Sequence, residues 1–221
     1  KIPTKVIKKR VGVKNSLTVK IIALITLWSV FQLLLTQYIG IEPQSAEWSR
    51  IFVLDSDHLT YYWTYFTSIL SHGSVFHLFI NMFVFFSFGR FIEPEFSKRE
   101  YLLFLLATGL IAGVSQIIIA EAFVEGGMKL VGFSGALSGV IGYIGVRYEI
   151  PVLLFFLIKV NIKTAVAIFI CATLFIIIYF GPGAFNIAHT AHLGGLFAGI
   201  GYGLYKQQRF EQSLKDRVLS M

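Results

Sequence analysis

Ser134 stands between glycines in Gly132-Phe133-Ser134-Gly135 at the head of one apolar stretch, and His192 sits inside another. Polar side chains are costly in lipid unless paired, on the order of 2.5–3.5 kcal/mol for a charged one at mid-helix. A serine hydroxyl is a weak nucleophile that an adjacent base activates for acyl transfer. Ser134 beside His192 therefore points to nucleophilic attack on a peptide bond in or near a bilayer. The stretch HGSVFHLFIN adds His77 and Asn81, four residues apart and so on one helix face. A neutral imidazole and a carboxamide both donate hydrogen bonds, and each donor to a tetrahedral oxyanion is worth about 2.7–4 kcal/mol in hydrolases.

Composition sets the environment for this chemistry. Of 221 residues, 56% are hydrophobic and 14% charged, with mean hydropathy +0.73, against roughly 25% charged residues in soluble domains. The chain reads as an all-α polytopic membrane protein with one domain and no large soluble part. Its net charge of +7 comes from basic residues at the termini and in short connections, which argues for membrane orientation and against nucleic-acid binding. Cys171 is the single cysteine. It excludes an internal disulfide and a cysteine zinc site, and its apolar setting predicts a small core residue. A metal site on His72, His77, His189 and His192 lacks His-Glu-x-x-His and any membrane-embedded acid.

Six apolar stretches are candidate spans: 17–39, 64–90, 100–121, 132–147, 163–181 and 189–206. The first follows a basic tail, lacks a small-residue cleavage site and is expected to be retained. The connection after Gly40 carries Glu42, Glu47, Asp55 and Asp57 against Arg50 and is expected outside. Arg90, Lys98, Arg99, Arg147, Lys159, Lys163, Lys206 and Arg209 then fall on the inner side, so both termini are expected in the cytoplasm. Residues 1–16 and 207–221 are the tails and 17–206 the membrane domain. Pro151 to Ile158 is too short to span and is expected along the inner interface.

That orientation brings Ser134, His192 and the His77 end of the second span toward the outer leaflet. The fourth span rises roughly 23 Å against about 30 Å of hydrocarbon, so its start must lie below the surface. Unpaired N–H groups at a helix start cannot face lipid, which predicts a wet recess floored by Ser134. Ser134, Ser138 and Gly142 fall at i, i+4 and i+8 beside Gly135 and Gly139. His192, Gly195, Gly199 and Gly203 follow the same helical spacing. Such small faces let membrane helices approach closely, and packing the two together brings Ser134 within reach of His192. Ser138 is expected to bond a carbonyl one turn back. GPGAFN, residues 181–186, is expected to be either a plain turn or a cap over the recess, with Phe185 as its plug.

Taken together, Gly132 to Gly135, Ala191-His192-Leu193-Gly194-Gly195 and His77 to Asn81 resemble the rhomboid family of intramembrane serine proteases, over about residues 17–206. The resemblance implies a six-transmembrane-helix rhomboid-like bundle with a short fourth helix, Ser134 as nucleophile and His192 as base without an aspartate. It also implies oxyanion stabilisation by His77, Asn81 and the Ser134 backbone N–H. Glu93 matches an acid of the family pattern, whereas Trp63-Thr64 and Ser97 depart from it at positions where the family usually has Trp-Arg and glycine. Substrates would be single-span or polytopic membrane proteins in the lipid bilayer, with no nucleic acid, metal or other cofactor, and the setting a prokaryotic cell membrane. His189, one turn before His192, is expected to orient it or bind water. A catalytically silent relative that binds membrane clients is the alternative, and a transporter is disfavoured because the chain is small and shows no inverted repeat.

Overall fold

The structure is a computed structural model that describes residues 12–40, 45–124, 127–154, 157–184 and 187–219. Helix α1 (Leu17–Leu34) continues through a π-helical turn, Leu35–Ile39, and stops at Gly40, whose φ of 74° is left-handed. Its start is fixed from a distance: the Glu93 carboxylate accepts from the Ser16 and Thr18 hydroxyls at 2.6 and 2.7 Å and from the Leu17 N–H at 2.6 Å. These N–H groups have no partner inside their own helix, so Glu93 ties the first helix to the end of α4 (Val75–Ile92).

The apolar stretch 64–90 divides into α3 (Thr64–Leu70) and α4. Ser71 is extended, and the Ser74 side chain caps α4 by accepting from the His77 N–H at 3.1 Å. Serine favours such a cap over a helix interior, which composition alone does not reveal. The first connection carries α2 (Ala46–Phe52) and strand β1 (Leu54–Asp55), which pairs antiparallel with β2 (Lys129–Leu130) just before the Ser134 segment. Trp63 anchors this connection by donating from its indole to the Arg50 carbonyl at 2.7 Å. Thr67 donates to the Ile51 carbonyl at 2.5 Å.

Helix α5 (Lys98–Phe123) opens on a capping box made by Ser97 and Glu100. Helix α6 (Ser134–Arg147) has 14 residues, and all but three are buried. It is the central rod, packed by α4, α5, α7 (Ile162–Phe180) and α8 (His189–Leu219). The segment expected along the interface is instead a hairpin of β3 (Pro151–Leu154) and β4 (Ile158–Asn161). Proline is compatible with the first residue of an edge strand, and Asn161 then caps α7 by accepting from the Lys163 N–H. The last helix continues beyond the expected span boundary at 206, through Leu219.

Leu17–Ile39, Val75–Glu95, Lys98–Phe123 and Ile162–Phe180 are long and apolar enough to cross a membrane. The other two expected spans, α6 and the first part of α8, are helical as well. Length and composition do not mark them, because α6 rises only about 21 Å and α8 is diluted by glycine and histidine. Cys171 corrects an expectation: it is exposed on α7. An apolar helix against lipid has no need to bury its apolar residues, so hydropathy did not indicate a core position.

At the end of the bundle away from Ser134, several charges are paired. Tyr143 donates to Glu95, Arg147 lies 3.4 Å from the same carboxylate, and Lys206 donates to Glu100 at 2.8 Å. Phe96, Phe104, Tyr143 and Tyr202 form an aromatic layer above them. Buried ions survive only when partnered, and this network fixes α5, α6 and α8 at one end while the glycine seam sets them at the other.

Candidate active site

Gly132 has φ +124° and donates its N–H to the Ser68 carbonyl at 2.8 Å. A side chain there would be strained and would also meet the His77 ring, 2.8 Å from an ideal Cβ. Glycine is thus required twice over, by backbone conformation and by the imidazole pressed against it. Phe133 is buried against Phe85, with ring centroids 4.7 Å apart. Ser134 follows as the first residue of α6, among N–H groups that no carbonyl within the helix can reach.

The small faces of α6 and α8 meet backbone to backbone. A Cβ on Gly195 would overlap the Gly135 carbonyl, one on Gly199 the Gly139 carbonyl, and one on Gly142 the Leu196 carbonyl. Only glycine admits this approach. His192, three residues before Gly195, is thereby set against Ser134, and its Nε2 lies 2.9 Å from the Ser134 Oγ. Ser138 donates to the Ser134 carbonyl at 2.9 Å, one turn back.

His77 and Asn81 both lie on α4. The His77 ring contacts Gly132 as described. Asn81 is buried and donates one amide hydrogen to the His77 carbonyl at 2.9 Å, so its second N–H is uncommitted in that bond. His189 donates from Nε2 to the Ala184 carbonyl at 3.0 Å, fastening the connection before α8 to the helix start. His72 lies between α3 and α4 with its ring centroid 5.1 Å from that of His77. Its Nδ1 faces the Leu70 carbonyl at 3.2 Å. A carbonyl only accepts, so the proton is on Nδ1 and Nε2 is a bare acceptor.

One residue of consequence escaped the sequence reading. Gln116, on α5, is fully buried, and its Oε1 accepts from the Thr190 hydroxyl at 2.5 Å and the Ala191 N–H at 3.1 Å. It holds the first turn of α8, where no intrahelical acceptor exists, next to His192. The available signal was a lone carboxamide in an otherwise apolar span. Phe185 and Asn186 lie outside the described residues, so the cap expectation does not reach the geometry. Beside the site, a cavity of about 840 Å³ is bounded by α1, α2, the 71–74 turn and the segments before α6 and α8.

Residues 59–209 match the family model of the Rhomboid domain. The chain is 27% identical over 160 residues to the rhomboid protease GlpG of Haemophilus influenzae, covering 69% of this chain and 74% of that protein. It is 28% identical over 165 residues to the rhomboid protease GluP of Bacillus subtilis, covering 72% of this chain but only 29% of that longer protein.

Proposed function

The chain belongs to the rhomboid family and is an integral membrane protein, and from that premise we propose that it is an intramembrane serine endopeptidase that cuts membrane-protein substrates near the outer leaflet. In this reading residues 17–206 form six crossing helices, both tails lie in the cytoplasm, and the membrane is that of a prokaryotic cell.

Ser134 Oγ attacks the scissile carbonyl carbon while His192 Nε2 takes its proton. The resulting oxyanion accepts hydrogen bonds from the Ser134 backbone N–H, the His77 ring and the free amide hydrogen of Asn81. Collapse of the tetrahedral intermediate expels the amine, which His192 protonates, and leaves an acyl-enzyme on Ser134. Water then attacks the ester with His192 again as base, and the carboxylate product departs. The α6 helix start helps throughout, because its N–H groups favour negative charge.

The observation that carries the reading is the 2.9 Å contact between His192 Nε2 and Ser134 Oγ, held by a seam that only glycine permits. A silent, client-binding relative would not need that contact maintained. With purified protein in detergent and a single-span reporter, Ser134→Ala and His192→Ala should abolish cleavage, and Ser138→Ala should spare it. Asn81→Ala should slow it by about a hundredfold or less, because other donors remain. Cleavage that survives Ser134→Ala would falsify the assignment of the nucleophile.

A further inference from the structure

Helices α5 and α8 run side by side but do not meet evenly. Toward the Ser134 end they are in contact: a Cβ on Gly194 would overlap the Ser115 Oγ, and Gln116 on α5 holds Thr190 and Ala191 on α8. Toward the other end long side chains reach across, with the Glu100 carboxylate accepting from Tyr202 at 2.6 Å and from Lys206 at 2.8 Å. From this second level up to Ile111 and Ala198 the two helices border a groove of about 680 Å³. Leu103, Ala107, Ile111, Ala198 and Gly201 give it apolar walls, and nothing lies within 4 Å of an ideal Cβ on Gly201. Ser97 and Arg99 line it at the start of α5.

Charge and length together say what fits. Arg99 is the one cation lining the groove, and its guanidinium has no ion pair or hydrogen bond among the described residues. The one anion, Glu100, is already engaged by Lys206, Tyr202 and the Ser97 N–H. An uncompensated positive charge therefore stands at the α5 start, beside an apolar trough. A guanidinium fork matches the oxygens of a phosphate, and Tyr205, exposed and also lining the groove, is a residue type that favours the level of lipid headgroups. Arg99 to Ile111 is about 18 Å along the helix, close to the roughly 15 Å of hydrocarbon in one leaflet. A spanning helix, from a substrate or a second copy, would need a trough through both leaflets, and the seam is closed at Ser115 and Gly194. An acyl chain needs only one.

We propose that the groove between α5 and α8 holds an anionic phospholipid, with one acyl chain along Leu103, Ala107 and Gly201 and the phosphate on Arg99. In the orientation proposed above this lipid belongs to the inner leaflet, while the binding itself needs only that the chain sits in a bilayer. The test is native mass spectrometry of the purified full chain in detergent, titrated with phosphatidylglycerol or with phosphatidylcholine of the same acyl chains. The first phosphatidylglycerol should bind about fivefold more tightly, the factor expected of one interfacial arginine. Arg99→Gln should bring that ratio to about one, whereas Lys98→Gln, exposed but outside the groove, should leave it in place. Gly201→Leu fills the trough and should weaken both lipids severalfold. Should that variant unfold in detergent at a lower temperature than the wild type, Ala107→Leu on the opposite wall carries the same comparison. Equal binding of the two lipids by the wild type, or an equal loss in Lys98→Gln and Arg99→Gln, overturns the site, since a merely basic surface would behave so. Lipid affinity unchanged in the filled variants overturns it as well, and a raised KM for a single-span reporter in those variants would then make the groove a substrate contact. The binding measurements require no cleavage, so their failure leaves the protease reading standing.

Discussion

Helices α6 and α7 are both rich in apolar residues, and they are built on opposite plans. In α6 all but three of 14 residues are buried, and its neighbours touch it through glycine. In α7 only Ile162, Val166 and Thr173 of 19 residues are buried, although its mean hydropathy is 2.3. The more apolar helix is thus the peripheral one. In water the order would be reversed, because burial there is driven by apolar area. Inside a membrane, lipid satisfies apolar side chains as well as protein does, and close packing and polar pairing decide which helices come together. Ser134 and His192 are carried by helices that obey this rule, so the 2.9 Å contact between them depends on backbone packing.

The largest expected effect follows from that contact. Gly199→Val puts a branched side chain where a Cβ already overlaps the Gly139 carbonyl. The helices must separate or the fold must fail, at a cost of about 3 kcal/mol or more. Thermal unfolding in detergent should show the loss, and phosphonate labelling of Ser134 should disappear with it. Gly201→Ala is the control, since nothing lies within 4 Å of a Cβ there. Retained stability in Gly199→Val would mean that the seam is loose and that the contrast with α7 is false.

A smaller loss is expected where α8 is held by a side chain and not by its backbone. Gln116→Leu leaves the buried Thr190 hydroxyl and Ala191 N–H without their acceptor. The penalty for orphaning such groups is about 1–3 kcal/mol. Because the first turn of α8 carries His192, kcat should fall while KM changes little, and Gln116→Glu, which restores an acceptor at that position, should recover part of the rate. A variant that lost stability with kcat intact would show Gln116 to be a strut with no part in aligning His192.

The same contrast explains what could be read from the sequence. Ser134, His192, His77 and Asn81 were legible because a polar residue among apolar ones is conspicuous, and the seam was legible because helical spacing of Gly135, Gly139, Gly195 and Gly199 is independent of surroundings. Ser138 behaves as its position predicted. The break between α3 and α4 and the β3–β4 hairpin were not legible, since apolar residues look alike in a helix, a capped turn or a short strand. Gln116 was missed for another reason: what a buried carboxamide does depends on groups far away in the chain, which only the fold brings near. Cys171 was misplaced because hydropathy was taken to mean burial.

That misplacement supplies the smallest expected effect and the sharpest control. Cys171→Leu enlarges a side chain on α7, as Gly199→Val does on α8, but Cys171 is exposed. With no tightly packed neighbour to displace, the change in stability should stay within about 0.5 kcal/mol, a shift of roughly 1–2 °C in Tm for a chain of this size. Phosphonate labelling of Ser134 should be unaltered. A fall in Tm approaching that of Gly199→Val would mean that α7 is packed as tightly as the seam. Hydropathy would then have been the better guide to burial, and backbone proximity would no longer distinguish the helices that carry Ser134 and His192.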